Sequence, residues 1–169
     1  MRTKPLRRGG QVSVEFILLF TGVLVPSLIG LTFLSQLLWI WHSVNDFTRQ
    51  GAGYAVSHCW EASSQNVIDF MQQNVPLMPF QQQFQDGTAT ITVSYFSVDP
   101  TTGILTPFAC DGDCSTACIP DRVVVTVTGF QFSSFFSYLG LPPVALPNFQ
   151  ASAAMESAGC DPEQGVCLP

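Results

Sequence analysis

The sequence predicts an α+β protein, in which one long N-terminal helix is followed by a small antiparallel β-sheet domain with disulfides. Three observations predict this layout: an uncharged apolar run near the N-terminus, stretches of alternating β-branched residues in the second half, and six cysteines beyond the apolar run. A chain of 169 residues has room for one compact domain and an anchor.

The apolar run predicts a transmembrane helix over residues 11–42. It contains twenty-five residues without a formal charge, from Phe16 to Ile40. At about 1.5 Å per helical residue it is longer than a hydrocarbon layer of roughly 30 Å. Trp39, Trp41 and His42 follow, where amphipathic rings suit the headgroup level. A secretory signal would have a shorter core and a small-x-small cleavage site, and this run has neither. An unprocessed membrane anchor stays an alternative.

The charge distribution predicts an orientation. Four of the six basic residues lie within the first eight positions, which places the N-terminus in the cytoplasm and the later residues outside it. Without residues 1–10, two basic and twelve acidic side chains would remain, a balance of −10. Such a chain repels phosphate backbones, so we expect no nucleic-acid partner.

A short motif precedes the apolar run. It reads Arg7-Arg8-Gly9-Gly10-Gln11-Val12-Ser13-Val14-Glu15-Phe16. It resembles the class III signal of type IV pilins, which implies that residues 1–10 are a leader removed by a prepilin peptidase. The resemblance implies a cut between Gly10 and Gln11, which leaves Glu15 as the fifth mature residue. Glycine suits that position because a backbone without a Cβ can approach the peptidase closely.

Cleavage at this point would create a new charge near Glu15. The ammonium would lie on Gln11, four residues earlier and on the same helix face. An acid at the membrane edge is costly unless it is paired, so we hypothesise that this amine, or that of a neighbouring subunit, pairs with Glu15 in a filament. The alternative is an acid that reaches water at a helix N-terminus, where negative charge is favourable.

Residues 7–24, 49–55 and 153–156 resemble the TadE-like pseudopilins of the tight-adherence (Flp) pilus system. The chain departs from that family in its six cysteines and in the absence of an arginine near Glu156. The resemblance implies a minor pilin at the inner membrane, with its C-terminal domain periplasmic or extracellular. Its partners would be the prepilin peptidase, other pilin subunits and the inner-membrane assembly platform. The alternatives are an unprocessed single-pass protein with an extracytoplasmic binding domain, and a membrane-tethered redox or hydrolytic enzyme.

Beyond the membrane we predict an extracytoplasmic helix over residues 43–75, continuous to about Asn74 and ended by Pro76 and Pro79. Pro26 should kink or loosen the membrane helix. The β-rich domain spans residues 76–169, and no helix separates its strands, so the sheet should be antiparallel. Its predicted strands cover residues 88–98, 104–108, 122–132 and 145–157. The aromatic-rich segment 130–141 is expected to pack in the core, with an exposed contact patch as the alternative.

The cysteines are Cys59, Cys110, Cys114, Cys118, Cys160 and Cys167. An even number in a non-cytoplasmic domain predicts disulfides. Fifteen pairings are possible, and we expect Cys160 to pair with Cys167 and Cys59 to join the loop 110–118.

Metal binding and catalysis are not expected. The Cys-x3-Cys-x3-Cys spacing fits zinc poorly, and Asp111 and Asp113, with Asp121 nearby, lack the twelve-residue calcium loop. A surface turn explains these acids better. His42 lies at the membrane boundary, and Cys59 beside His58 is expected to be oxidised. We therefore predict no enzyme and no cofactor.

Overall fold

The computed structural model describes residues 11–132, 140, 142–161 and 163–167. It divides after Trp39 into an N-terminal unit and a C-terminal unit that begins at Ile40. The helices are α1 (Gln11–Leu19), a π-helical turn (Phe20–Leu24), α2 (Val25–Ser57), α3 (Gln65–Gln73) and a 3-10 turn (Gln81–Phe84). The strands are β1 (Thr90–Val98), β2 (Leu105–Pro107), β3 (Arg122–Thr128), β4 (Gln131–Phe132), β5 (Val144–Ala145), β6 (Phe149–Ala154), β7 (Cys160–Asp161) and β8 (Val166–Cys167).

The main sheet confirms the predicted antiparallel arrangement. Its four strands lie in the order β2-β1-β3-β6, and every neighbouring pair is antiparallel. β3 is central, and its alternate residues Val123, Val125 and Val127 are fully buried. Two further sheets have two strands each, formed by β4 with β5 and by β7 with β8. The predicted α+β fold class is therefore confirmed.

The part of α2 in the C-terminal unit buries one face, as the helical spacing predicts. Val44, Phe47, Gly51 and Ala55 are buried on it, whereas Tyr54 is only half-buried. The Phe47 ring meets the Phe84 ring edge-on at 5.2 Å between centroids. This face anchors the helix to the rest of the unit through apolar contacts.

The predicted continuous helix to Asn74 is wrong. α2 ends at Ser57, and α3 begins only at Gln65. Between them the chain leaves the helix because Cys59 is bonded to Cys114 and the Trp60 ring is buried, with 4% of its surface exposed. Tertiary contacts outweigh the local helix propensity here.

The predicted strand 122–132 is interrupted after Thr128. Gly129 has a left-handed φ of +77°, and a Cβ there would lie 2.5 Å from the carbonyl oxygen of Thr88. The chain therefore turns, and β4 pairs with β5 instead of extending β3. The predicted strand 145–157 is shorter as well, since β6 starts at Phe149, after Pro147.

The aromatic segment 130–141 lies only partly within the described residues. Phe130 and Phe132 are buried, with 1% and 2% of their surfaces exposed, as expected for core packing. Phe80 meets Phe132 edge-on and Phe84 lies against Phe130. Residues 133–139 and 141 are outside the described part of the chain.

The turn predicted at residues 99–103 joins β1 to β2. Gly103 donates its N–H to the Asp99 carbonyl at 2.8 Å and has a left-handed φ of +69°. The hydroxyl and N–H of Thr101 and the N–H of Thr102 donate to the Asp99 carboxylate. These hydrogen bonds lower the pKa of Asp99 to about 2, with the Thr101 hydroxyl contributing most.

Substitution of Gly159 tests how closely the chain packs against the end of α2. A Cβ on Gly159 would lie 2.5 Å from the Ser57 carbonyl oxygen, and the residue has a φ of +67°. We expect Gly159→Ala to lower the free energy of unfolding by roughly 2 kcal/mol or more, because rigid backbone must move.

Gly53→Ala is the matched control, measured by the same chemical denaturation in detergent. Gly53 is exposed within α2, and a Cβ there meets no atom of the described residues within 4 Å. Alanine should raise the free energy of unfolding by about 0.5–1 kcal/mol. Equal effects at both positions would contradict the close approach of Gly159 to Ser57.

Candidate assembly segment and aromatic cavity

The N-terminal unit is an apolar helical rod. Among the described residues one helical stretch, Val12–Ser57, is long and apolar enough to cross a membrane. Its large apolar side chains are exposed on all sides, including Val14, Phe16, Leu18, Phe20, Leu24, Leu31 and Leu38. A helix that is apolar all round requires apolar surroundings, such as lipid or other apolar helices.

Glu15 lies on α1, which begins at Gln11. The side chain of Glu15 is exposed, and one helical turn separates it from the backbone of Gln11. The structure therefore brings Glu15 to the same face as the backbone nitrogen that cleavage would turn into an ammonium. Gly10, the other predicted processing residue, lies outside the described residues.

A π-helical turn interrupts the rod next to Pro26. It spans Phe20–Leu24, and the N–H of Val25 donates to the Phe20 carbonyl. Pro26 has no N–H to continue the α-helical ladder, and the Ser27 hydroxyl donates to the Val23 carbonyl at 2.7 Å. The expected local loosening at Pro26 thus takes the form of a widened turn without a break in the helix.

The C-terminal unit begins with the aromatic end of the apolar run. The Trp41 ring packs edge-on against the Phe149 ring of β6, with 4.9 Å between centroids. Asp46 follows one turn later and accepts a hydrogen bond of 2.9 Å from the Gln50 side chain. This succession of an amphipathic ring and a charged group is typical of a chain that leaves the hydrocarbon layer.

The six cysteines form three disulfides: Cys59–Cys114, Cys110–Cys118 and Cys160–Cys167. The local clip at the C-terminus and the link from Cys59 to the loop 110–118 were both expected. Disulfides fit a domain outside the cytoplasm.

The sulfur atoms of Cys59 and Cys114 and a carboxylate oxygen of Glu61 lie within 4.8 Å of one another. Because the two sulfurs are bonded to each other, neither is a thiolate that could bind a metal. The same bond leaves no thiol on Cys59 for a reactive pair with His58, whose ring stacks on Tyr54 at 3.6 Å.

Two of the acids considered for calcium, Asp113 and Asp121, accept hydrogen bonds from the backbone of distant segments. Asp113 accepts a hydrogen bond of 2.8 Å from the N–H of Ala62, and Asp121 accepts one of 2.7 Å from the N–H of Val98. Each carboxylate thus joins two segments that are distant in the sequence.

A cavity of about 240 Å³ lies beside the Cys110–Cys118 disulfide. Its wall includes Trp60, Ala62, Ser64, Val93, Tyr95 and Phe108. The Trp60 ring meets the Phe108 ring at 5.1 Å and the Tyr95 ring at 6.3 Å, almost at right angles in both pairs. Three aromatic residues therefore line the cavity, with the Trp60 ring steeply inclined to the other two.

Tyr95 in the cavity wall carries a buried polar group, its hydroxyl. Only 8% of its surface is exposed, and its hydroxyl has no hydrogen-bond partner among the residues that the structure describes. Burial, with a smaller contribution from the charge of Glu61, raises the pKa of Tyr95 to about 12. The hydroxyl therefore stays protonated at neutral pH.

No sequence pattern predicts this cavity. Its aromatic residues come from the segment after α2, from β1 and from the residue after β2, and no local pattern connects them. One feature of the sequence hints at the position of Trp60 in the wall. Trp60 adjoins Cys59, and a disulfide-bonded cysteine fixes the position of its neighbour.

Comparison of the chain with protein-family models, curated proteins and solved structures finds no match.

Proposed function

We propose that the chain is a TadE-like minor pilin or pseudopilin, which is processed after Gly10 and takes part in assembly of a tight-adherence type IV pilus. The observation that carries the proposal is the basic leader with Gly10, followed by Glu15 at the start of an exposed apolar helix. Three disulfides in the C-terminal unit support placement of that unit outside the cytoplasm.

The proposed mechanism is electrostatic. Removal of residues 1–10 takes away four basic side chains that hold the precursor at the cytoplasmic face of the membrane. The new ammonium on Gln11 pairs with Glu15 of the same subunit or of a neighbour. Neutralising both charges lowers the cost of placing this end of the helix among other apolar helices in a filament.

The proposed partners follow from this mechanism. The prepilin peptidase acts on the leader, the inner-membrane platform moves the mature subunit, and the exposed apolar rod packs against the rods of other pilin subunits. The widened turn at Phe20–Leu24 gives the rod a place to adapt to its neighbours. Before assembly the subunit spans the inner membrane once.

Intact-mass measurement of the purified protein tests the proposal. In cells with an active prepilin peptidase, we expect a mature form that begins at Gln11. Gly10→Val should leave the full-length precursor, because a side chain at this position obstructs the approach of the peptidase.

Gly9→Val is the matched control, because it changes the neighbouring glycine and should leave processing largely intact. A wild-type chain that keeps residues 1–10 while the peptidase is active would contradict the proposal. That result would favour the alternative, an unprocessed single-pass membrane protein with an extracytoplasmic binding domain.

A further inference from the structure

The aromatic cavity has the dimensions of a binding site for a small group. Its volume of about 240 Å³ is several times the roughly 30 Å³ that one liquid water molecule occupies. One wall comes from the segment 60–64, which the Cys59–Cys114 disulfide holds in place, and another comes from β1. Both walls are thus fixed by covalent bonds or by the sheet.

The Tyr95 hydroxyl lacks the partner that such a group usually has. Buried tyrosine hydroxyls are normally hydrogen-bonded, and leaving one unsatisfied costs about 1–3 kcal/mol. Tyr95 contributes to the cavity wall, so a polar ligand atom in the cavity is near the group that needs a partner. The hydroxyl atom itself is buried, so binding as proposed below requires a side-chain movement that exposes it to the cavity.

The charges around the cavity favour a cation. The carboxylate of Asp113 accepts a hydrogen bond from the N–H of Ala62, a residue of the cavity wall. Glu61 lies between the wall residues Trp60 and Ala62, and its charge acts on Tyr95. An anion would be repelled by both carboxylates, whereas a cation would gain from both.

The aromatic rings favour the same kind of ligand. The Trp60 ring lies at a steep angle to the Tyr95 ring and to the Phe108 ring, and all three residues line the cavity. A cation within about 6 Å of a ring face is attracted by the quadrupole of the ring, most strongly by that of tryptophan. An alkyl stem attached to the cation can pack against the same rings.

We propose that this cavity binds a primary ammonium group on a short alkyl stem, with the Tyr95 hydroxyl oxygen as hydrogen-bond acceptor and Glu61 and Asp113 as counter-charges. The ammonium group belongs to a lysine side chain of another protein or to a small aliphatic amine. Residues 11–169 contain no lysine, so no side chain among these residues in a second copy of the chain supplies it. The site is independent of the role proposed for the N-terminal unit.

Titration of the full chain in detergent micelles with n-butylammonium chloride tests the site. The protein carries ¹⁵N-labelled tryptophan, and the indole signals of Trp39 and Trp41 are assigned with the variants Trp39→Phe and Trp41→Phe. We expect a saturable shift of the Trp60 indole signal at constant ionic strength. The neutral analogue 1-butanol should leave that signal unchanged at the same concentrations.

Two matched variants test whether the Tyr95 hydroxyl binds the ammonium group. Tyr95→Phe should weaken n-butylammonium binding by roughly tenfold, the effect of one lost hydrogen bond to a charged group. Its fold should be retained, because phenylalanine removes only an unpartnered hydroxyl. Tyr54→Phe removes a hydroxyl elsewhere, from a ring stacked on Phe70, and should bind as the wild type does.

The proposal is overturned if the Trp60 signal shows no saturable shift, if 1-butanol shifts it equally, or if Tyr95→Phe keeps wild-type affinity. A second titration with Nα-acetyl-lysine N-methylamide distinguishes the two sources of the ammonium group. Binding tighter than that of n-butylammonium assigns the site to a lysine side chain of a partner protein. Weaker or equal binding assigns it to a free amine, and both results support an ammonium site.

Discussion

Replacement of Glu15 by leucine is expected to leave cleavage after Gly10 intact and to reduce incorporation of the subunit into filaments by roughly tenfold or more. Leucine removes the carboxylate and leaves the new ammonium on Gln11 without its proposed counter-charge. An uncompensated charge among apolar helices costs several kcal/mol, and each 1.4 kcal/mol changes an assembly equilibrium about tenfold. The ratio of subunit in sheared filaments to subunit in membranes measures the effect.

Two variants control this experiment. Glu15→Asp keeps the negative charge on a shorter stem and should restore part of the incorporation. Asp46→Leu removes an exposed acid from the C-terminal unit, where it contacts Gln50, and should have little effect on the ratio. Normal incorporation of a correctly processed Glu15→Leu subunit would show that the carboxylate has no pairing role in assembly.

The parts of the fold that the sequence predicts best are those determined by local pattern. The uncharged run from Phe16 to Ile40 specifies a helix by itself, because every residue in it tolerates an apolar environment. The valine-rich, partly alternating sequence of β3 predicts a strand, and Val123, Val125 and Val127 lie fully buried on one face, while Val124 on the other face is buried too. The Glu15 motif also depends only on spacing along one helix, and its role in processing and assembly stays a prediction.

The parts that the sequence did not predict depend on contacts between distant residues. The helix was expected to continue past Ser57, since nothing in residues 58–64 breaks a helix as proline does. The break arises because Cys59 bonds to Cys114 and Trp60 packs against Phe108, two contacts that local propensity does not encode. The end of β3 at Gly129 has a similar cause, the close approach of Thr88.

The aromatic cavity illustrates the same limit for a site. In the sequence, Tyr95 is one more residue of an alternating strand. The structure shows that its hydroxyl is buried without a partner among the described residues, next to Trp60. An alternating pattern indicates which side chains are buried, but it does not indicate which buried polar groups find partners. Hydrogen-bond partners across the fold therefore have to come from the structure.

The Cys59–Cys114 disulfide is expected to contribute more than either of the other two disulfides to the stability of the C-terminal unit. It closes a segment of 55 residues, whereas Cys160–Cys167 closes one of 7. The loss of chain entropy in the unfolded state corresponds to about 4 kcal/mol for the long loop and about 2 kcal/mol for the short one. Because domains of this size are stable by only about 5–15 kcal/mol, Cys59→Ala/Cys114→Ala should leave the unit near its unfolding threshold.

Chemical denaturation of the full chain in detergent, without reductant, measures the difference between the two crosslinks. The double variant Cys160→Ala/Cys167→Ala is the matched control, since it also removes two cysteines and one disulfide. Cys59 has only 1% of its surface exposed, and alanine avoids the extra cost of burying a polar serine there. Equal losses in the two variants would mean that loop length does not determine the contribution of these disulfides. A loss below about 1 kcal/mol for Cys59→Ala/Cys114→Ala would mean that the packing of Trp60 against Phe108 alone holds the segment 58–64 in place.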